Sequence, residues 1–234
     1  MPGLTHTSDE GRKQQILAEL LSSYILKDVK SLVKEENIRA FNHLMYILAE
    51  NQGSTISMHS LAGQIGMSTK AVDRYLDILE HTYVNFRVYS FSRNLGNELK
   101  KSCKSYLYDL GVRNAILKDF SDMDDRPDKG AILESFVFLR LQSGLAPNME
   151  LKFWRTKGGH EVDFVLLKDR KPIPIEVKSS MPGPKVPGGL QRFLARYPKT
   201  SKAYVVNESI NDQIHHDNCS ISFVTFERFD RQEL

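Results

Sequence analysis

The sequence predicts an α+β protein in two parts, a helical part over residues 1–120 and an α/β part over residues 121–234. Three observations carry that division. Apolar residues recur at helical spacing up to about residue 118. The polar run DMDDRPDKG, with its proline and glycine, then interrupts the pattern. Beyond it, short runs of strand-forming residues take over. A chain of 234 residues, 41% of them hydrophobic, has enough apolar material for two small cores.

In the first part, ILAELLSSYILKDVKSLV and NIRAFNHLMYILAEN predict core helices, the second with Phe41, Leu44, Met45 and Leu48 on one face. Leu61, Ala62 and Ile65 mark a short helix that Gly66 ends, and Ser68 caps another that turns Ala71, Val72, Tyr75, Leu76 and Leu79 inward. Two short helices joined by a glycine-containing turn are a helix-turn-helix pattern. Val84, Phe86 and Val88 then alternate with Arg87 and Tyr89, which predicts a strand leading into a wing and so a winged-helix domain. The outward face of the second helix carries Thr69, Lys70, Asp73 and Arg74. In a DNA-binding reading its N-terminal end enters the major groove, while Arg87, Arg93, Lys100, Lys101 and Lys104 approach phosphates. Winged helices also dock proteins, with such charges as a solvated face, and Asp73 and Asp77 repel a phosphate backbone. Both readings stand at this point.

In the second part, AILESFVFLRLQ is apolar almost all round and predicts a buried helix, with Glu134 its only acid. A buried carboxylate needs a partner, a metal or a raised pKa. LKFWRT, EVDFVLLK and KPIPIEVKS read as strands, LQRFLARY as a helix, and KAYVVN and ISFVTF as further strands of a mixed central sheet. A two-residue turn at Asp169 and Arg170 would pair Lys168 with Lys171, Asp163 with Glu176 and Glu161 with Lys178. That register puts Val162, Phe164, Leu166, Ile173, Ile175 and Val177 on one face. It also sets Pro172 and Pro174 where their missing N–H groups break no ladder bond. The opposite face would carry Glu161, Asp163, Glu176 and Lys178.

Facing carboxylates cost stability unless a cation sits between them. A divalent ion, Mg²⁺ or Mn²⁺, held by Asp163 and Glu176 with Glu134 completing its shell, would stand beside the Lys178 ammonium and suit phosphodiester hydrolysis. Lys178 would steady the nucleophile or the developing charge. The plainer reading is a Glu161–Lys178 cross-strand salt bridge with the other acids solvated.

Glu134, Asp163 and the Glu176-Val177-Lys178 triplet resemble the D-(D/E)xK core of restriction-endonuclease-like nucleases, the PD-(D/E)xK fold. WRTKGGHEVDFVL…PIEVKSS resembles one branch, the C-terminal region of a large group of bacterial and archaeal AAA-type ATPases. The resemblance extends through YILKDV, AVDRYLDILE, SRNLGNELKKSCKSYLYDLG and ESFVFLRL. It implies a winged helix followed by a nuclease-like domain, with a P-loop ATPase domain upstream. The sequence contains no GxxxxGK[ST], and its MPGL start resembles the point just after the ATPase lid. The chain is therefore expected to be a piece lacking the motor, with no ATP site of its own. The implied activity is metal-dependent cutting of DNA by Asp163, Glu176 and Lys178 with Glu134 assisting. The alternative is an inactive region that binds DNA or protein, positions an ATPase ring, or dimerises. Gln191 sits where some nucleases of this fold place a helper polar residue, although a surface glutamine is the plainer reading.

The remaining features bound the setting. A net charge of +3 tolerates a polyanionic partner without requiring one. Cys103 and Cys219 lie far apart with no CxxC or histidine spacing, against a zinc site or a disulfide framework. With no apolar run of about 20 residues and no apolar signal core, a cytoplasmic chain without membrane contact is expected. His215 and His216 read as solvated in a polar loop, PGPKVPGG as a flexible loop, and Tyr106, Tyr108 and Tyr204 as strand residues of the core.

Overall fold

A computed structural model describes residues 8–23, 38–92 and 103–230, in two compact units. The chain passes from the first unit to the second between Arg126 and Pro127, inside the polar run, and Val88–Cys103 also belongs with the second.

The first unit is built on caps and stripes. Helix α1 (Glu10–Leu20) starts at Asp9, whose carboxylate accepts the Arg12 N–H at 3.3 Å; the apolar run from Tyr24 on lies outside the described residues. Helix α2 (Ile38–Glu50) buries Phe41, Leu44, Met45 and Leu48, as its 3.6-residue spacing dictates. After the two-residue strand β1 (Thr55–Ile56), helix α3 (Met58–Ile65) ends at Gly66, whose φ of 69° is the left-handed conformation that glycine adopts without strain. Helix α4 (Thr69–His81) follows at once, with the Ser68 hydroxyl accepting the Ala71 N–H at 3.2 Å. Val72, Tyr75, Leu76 and Leu79 of α4 join α2 and α3 in one core. Strands β2 (Asn85–Val88) and β3 (Cys103–Leu107) complete a three-stranded sheet in the order β1-β3-β2. Helix α5 (Leu110–Leu117) starts at Asp109, which accepts the Val112 N–H at 2.8 Å. Tyr106 is buried as expected, whereas Tyr108, just past the strand, is exposed.

The second unit is a six-stranded mixed sheet with helices on both faces. It comprises helix α6 (Lys129–Ser143), strands β4 (Met149–Arg155), β5 (Glu161–Lys168) and β6 (Lys171–Lys178), and helix α7 (Gly188–Arg196). Strands β7 (Lys202–Asn207), β8 (Asp212–His216) and β9 (Cys219–Thr225) and helix α8 (Phe226–Asp230) follow. The strand order is β4-β5-β6-β7-β9-β8, with β6 parallel to β7 and β7 to β9, and the other pairs antiparallel.

The β5–β6 hairpin has the register expected from its turn. Asp169 and Arg170 take φ of 52° and 63°, the twisted two-residue turn that matches the twist of paired strands. Lys168 faces Lys171, Pro172 faces Leu167 and Pro174 faces Val165. The expected split into an apolar and a charged face does not hold. Val165 and Pro174 are buried as well, because Leu190, Phe193 and Leu194 of α7 cover their side. On the other face Phe138 of α6 stands 6.4 Å, ring to ring, from Phe164, and Tyr204 packs on Phe229 of α8. Helix α6 is buried along one stripe (Ile132, Ser135, Val137, Phe138, Leu141) rather than all round, leaving Glu134 half-buried. His215 and His216 lie in β8 and not in a loop, since a tight turn at Asp217, φ 49°, folds that polar segment back onto β9. Among the described residues, no helix is long and apolar enough to cross a membrane. Both cysteines are buried free thiols.

Candidate active site

Ladder pairing between β5 and β6 stops at Phe164 and Ile175. Beyond that point β6 continues beside β7, from Ile175 opposite Tyr204 to Lys178 opposite Asn207. Asp163 and Glu176, the next pair in the hairpin register, therefore stand where the two strands part. Asp163 bridges the gap: its Oδ2 accepts the Val177 N–H at 2.8 Å, so a side chain takes the place of a cross-strand carbonyl.

Glu176 is buried and its Oε1 accepts from Lys178 Nζ at 2.8 Å. This overturns the simple Glu161–Lys178 pairing, for Glu161 meets Arg155 Nη1 at 3.5 Å on the neighbouring strand. Burial alone would lower the Lys178 pKa, but the nearby carboxylates of Glu176, Asp163 and Glu134 outweigh it and hold the ammonium above its ordinary value of 10.5. Glu134 reaches this place from α6, Asp163 from β5, and Glu176 and Lys178 from β6. The four residues singled out in the sequence thus share one locality. As they stand, no three Asp, Glu, His or Cys side chains among the described residues could together hold a metal ion. Gln191 is tied elsewhere, its amide donating to the Val186 carbonyl at 3.1 Å.

Two structural supports had no expectation attached. Buried Asn207, opposite Lys178, donates to the carbonyls of Ile210 and Val224 and accepts the Ser209 and Ile210 N–H groups, fixing the end of β7 beside the site. Gly189 opens α7 so close to β5 that a Cβ there would lie 1.8 Å from the Glu161 carbonyl oxygen. Only the terminal asparagine of KAYVVN and the paired glycines of PGGL hint at these roles.

The residues expected to meet nucleic acid divide sharply. Thr69, Lys70 and Arg74 are exposed along α4. Arg87 is not placed to meet a phosphate: its side chain is only 8% exposed and is held by Asp73 at 2.8 Å, Asp77 at 2.5 Å and Glu80. The three acids fall at i, i+4 and i+7 on α4, so their mutual repulsion draws in a cation from the adjacent strand. Lys104 is not available either, being 1% exposed on the central strand of the small sheet. Arg93, Lys100 and Lys101 lie outside the described residues.

Residues 1–123 match the family described as Domain of unknown function (DUF8612), and residues 129–226 match Domain of unknown function (DUF4143). The first match covers more than half of the chain, which therefore belongs to that family. The second family is commonly found with ATPase-type proteins. Among curated relatives, "Uncharacterized protein MJ1544" of Methanocaldococcus jannaschii is 29% identical over 74% of this chain and 38% of its own length. "Uncharacterized protein Rv2008c" of Mycobacterium tuberculosis is 27% identical over 68% of this chain and 36% of its own length. The chain thus spans well under half the length of these relatives. A solved structure, protein VC1899 from Vibrio cholerae, aligns with 95% of this chain and 54% of its own, at 11% identity and a TM-score of 0.27, too low to carry an argument about fold.

Proposed function

We propose that the chain is the winged-helix and restriction-endonuclease-like region of an AAA-type ATPase family protein, and that its second unit hydrolyses phosphodiester bonds in DNA. One observation carries this reading: where β5 and β6 part, Lys178 Nζ pairs with Glu176 at 2.8 Å, and the carboxylates of Asp163 and Glu134 are near enough to act on the same ammonium. The helix-turn-helix pair followed by a small sheet supports a winged helix. The mixed sheet between helices, with the acidic cluster at its centre, supports the nuclease-like assignment. The greater length of the relatives and the company kept by the second family support an ATPase domain elsewhere in the protein.

The donor set fits a hard divalent cation, since all three acids offer carboxylate oxygens. The lack of a three-sided cage is no obstacle, because Mg²⁺ is ordinarily held by one or two carboxylates with waters and substrate phosphates. Asp163 and Glu176 would supply those ligands, with Glu134 reaching in from α6. When bound, Mg²⁺ or Mn²⁺ would polarise a phosphoryl oxygen and lower the pKa of a bound water. Lys178 has a different task. With its pKa held high, it stays protonated at neutral pH and removes no proton; it donates to the attacking oxygen or to the negative charge that develops on the phosphate.

A second reading is favoured by the Glu176–Lys178 pair, which neutralises the cluster without any metal: the unit would then be an inactive DNA- or protein-binding or dimerising module that serves an ATPase. Calorimetric titration with Mg²⁺ or Mn²⁺ and a plasmid-nicking assay separate the two. The nuclease reading expects nicking that EDTA stops and that Asp163→Asn and Lys178→Met abolish, with metal binding weakened by Asp163→Asn. Absence of both metal binding and nicking in the intact chain refutes it and leaves the second.

A further inference from the structure

We infer that an open cleft at the turn end of the β5–β6 hairpin holds the phosphate backbone of DNA, an inference that rests on the nuclease reading above. The cleft has a volume of about 1110 Å³ and lies within the second unit, between the hairpin turn and the chain that leaves α7. Its lining includes five cationic residues, Lys168, Arg170, Lys171, Lys199 and Lys202, against two acids. The net excess of three positive charges equals that of the whole 234-residue chain. Both acids are already engaged: Glu150 pairs with Lys152 at 2.7 Å, and Asp169 accepts the Asn148 amide at 2.9 Å. Arg170, Lys171 and Lys199 are exposed and have no carboxylate partner among the described residues. Lys202 stands 4.9 Å from the centre of the Tyr204 ring.

Several cations gathered on one cleft repel one another unless an anion joins them, and their spread over two separate segments suits a series of phosphates better than a single one. The cleft is open, and Tyr197 is too buried to serve as a stacking platform for a base. What it offers is charge, the sequence-independent part of nucleic-acid binding. Its position suits the proposed chemistry. Five residues of strand separate Lys168 from Asp163, about 17 Å at roughly 3.4 Å per residue. This is about five phosphate-to-phosphate steps of one strand, measured along the axis of a DNA duplex. Two of the cations expected to do this work in the first unit are committed elsewhere, Arg87 to three acids and Lys104 to the interior, while Lys70 and Arg74 stay exposed on α4.

The test is fluorescence anisotropy with a short labelled DNA duplex in EDTA, so that binding is read without cleavage. The intact chain is compared with an Arg170→Gly, Lys171→Ala, Lys199→Ala variant, in which glycine suits the positive φ at 170 and the exposed positions leave folding undisturbed, as checked by an unchanged thermal melt. The expected result is salt-sensitive binding that the variant weakens roughly tenfold or more, with the slope of log K against log salt reduced by about 2 to 3, since each lost phosphate contact removes about 0.9. Unchanged affinity and slope in the variant, no duplex binding by the intact chain, or inorganic tripolyphosphate bound as tightly as the duplex would each overturn the inference. The two proposals fail separately. Salt-sensitive binding lost in the variant, without nicking by the intact chain, keeps the cleft and removes the nuclease. Full nicking by the variant with unchanged binding does the reverse.

Discussion

Asp163 has two separable tasks, and two substitutions tell them apart. Its Oδ2 accepts the Val177 N–H at 2.8 Å where the hairpin ladder ends, and its charge belongs to the cluster around Lys178. Asp163→Ala removes both, leaving a partly buried backbone N–H without its acceptor. A hydrogen bond to a charged group is worth about 1.5–3 kcal/mol. Because Asp163 is half-buried, the lower part of that range applies, about 1.5–2 kcal/mol, or roughly 6–8 °C in Tm for a unit of this size. Asp163→Asn can keep the acceptor as an amide oxygen and should cost less than about 1 kcal/mol. The sole tryptophan, Trp154, is buried against Phe193, and its strand partner Val162 adjoins Asp163, so denaturant titration followed by its fluorescence reports on this unit alone. Activity should be lost equally in both variants, and stability mainly in the alanine one. Equal stability of the two, within about 0.5 kcal/mol, would refute the bridging role of Oδ2.

Three further expectations follow. Arg87→Met should destabilise the first unit by about 2–3 kcal/mol, read by circular dichroism in urea: losing a buried partner costs about 3–5 kcal/mol, discounted because Asp73 and Asp77 are half exposed. Added salt should soften that loss, and a salt-independent or negligible change would refute the clamp. Gly189→Ala sets a methyl group onto the Glu161 carbonyl and should cost about 2–3 kcal/mol by Trp154 fluorescence, with a wild-type melting curve the contrary result. Because the Lys178 pKa is raised on folding, its stabilising contribution is complete below pH 10.5 and is lost as pH rises through the higher folded value. Stability should therefore fall more steeply above pH 10.5 in the intact chain than in Lys178→Met; identical alkaline limbs would count against the cluster.

What the sequence made legible was local chemistry. Ser68 and Gly66 mark the α3–α4 turn because a cap and a left-handed glycine act within a few residues. The hairpin register could be counted from Asp169 and Arg170 and checked against Pro172 and Pro174. The same count located the gathering of Asp163, Glu176 and Lys178, but not its geometry. Beyond the point where β5 parts from β6, the strand beside β6 is β7, a partner some thirty residues away. Asp163 therefore meets a backbone N–H and Lys178 meets Glu176, where the hairpin alone would have each face the opposite strand. Strand β8 was missed because DQIHH lacks the apolar alternation of a buried strand and is held by backbone pairing at the sheet edge. The Arg87 clamp could have been seen in the acids at 73, 77 and 80, which form one negative stripe on a helix. Lys104 misled because a basic neighbourhood says nothing of a strand's place in its sheet.

The double allegiance of β6, antiparallel to β5 and parallel to β7, orders events in time as well as in space. The β5–β6 hairpin closes over a two-residue loop and can form in microseconds. The parallel pairing must wait until α7 and its connections have bridged residues 179–201, a slower and more distant closure. Only then does the far half of β6 acquire a ladder partner and Lys178 its place opposite Asn207. A growing chain that has not yet extended past β7 would carry the acidic residues and the lysine without the strand that flanks them, so the centre is completed only once residues 202–207 have joined the sheet.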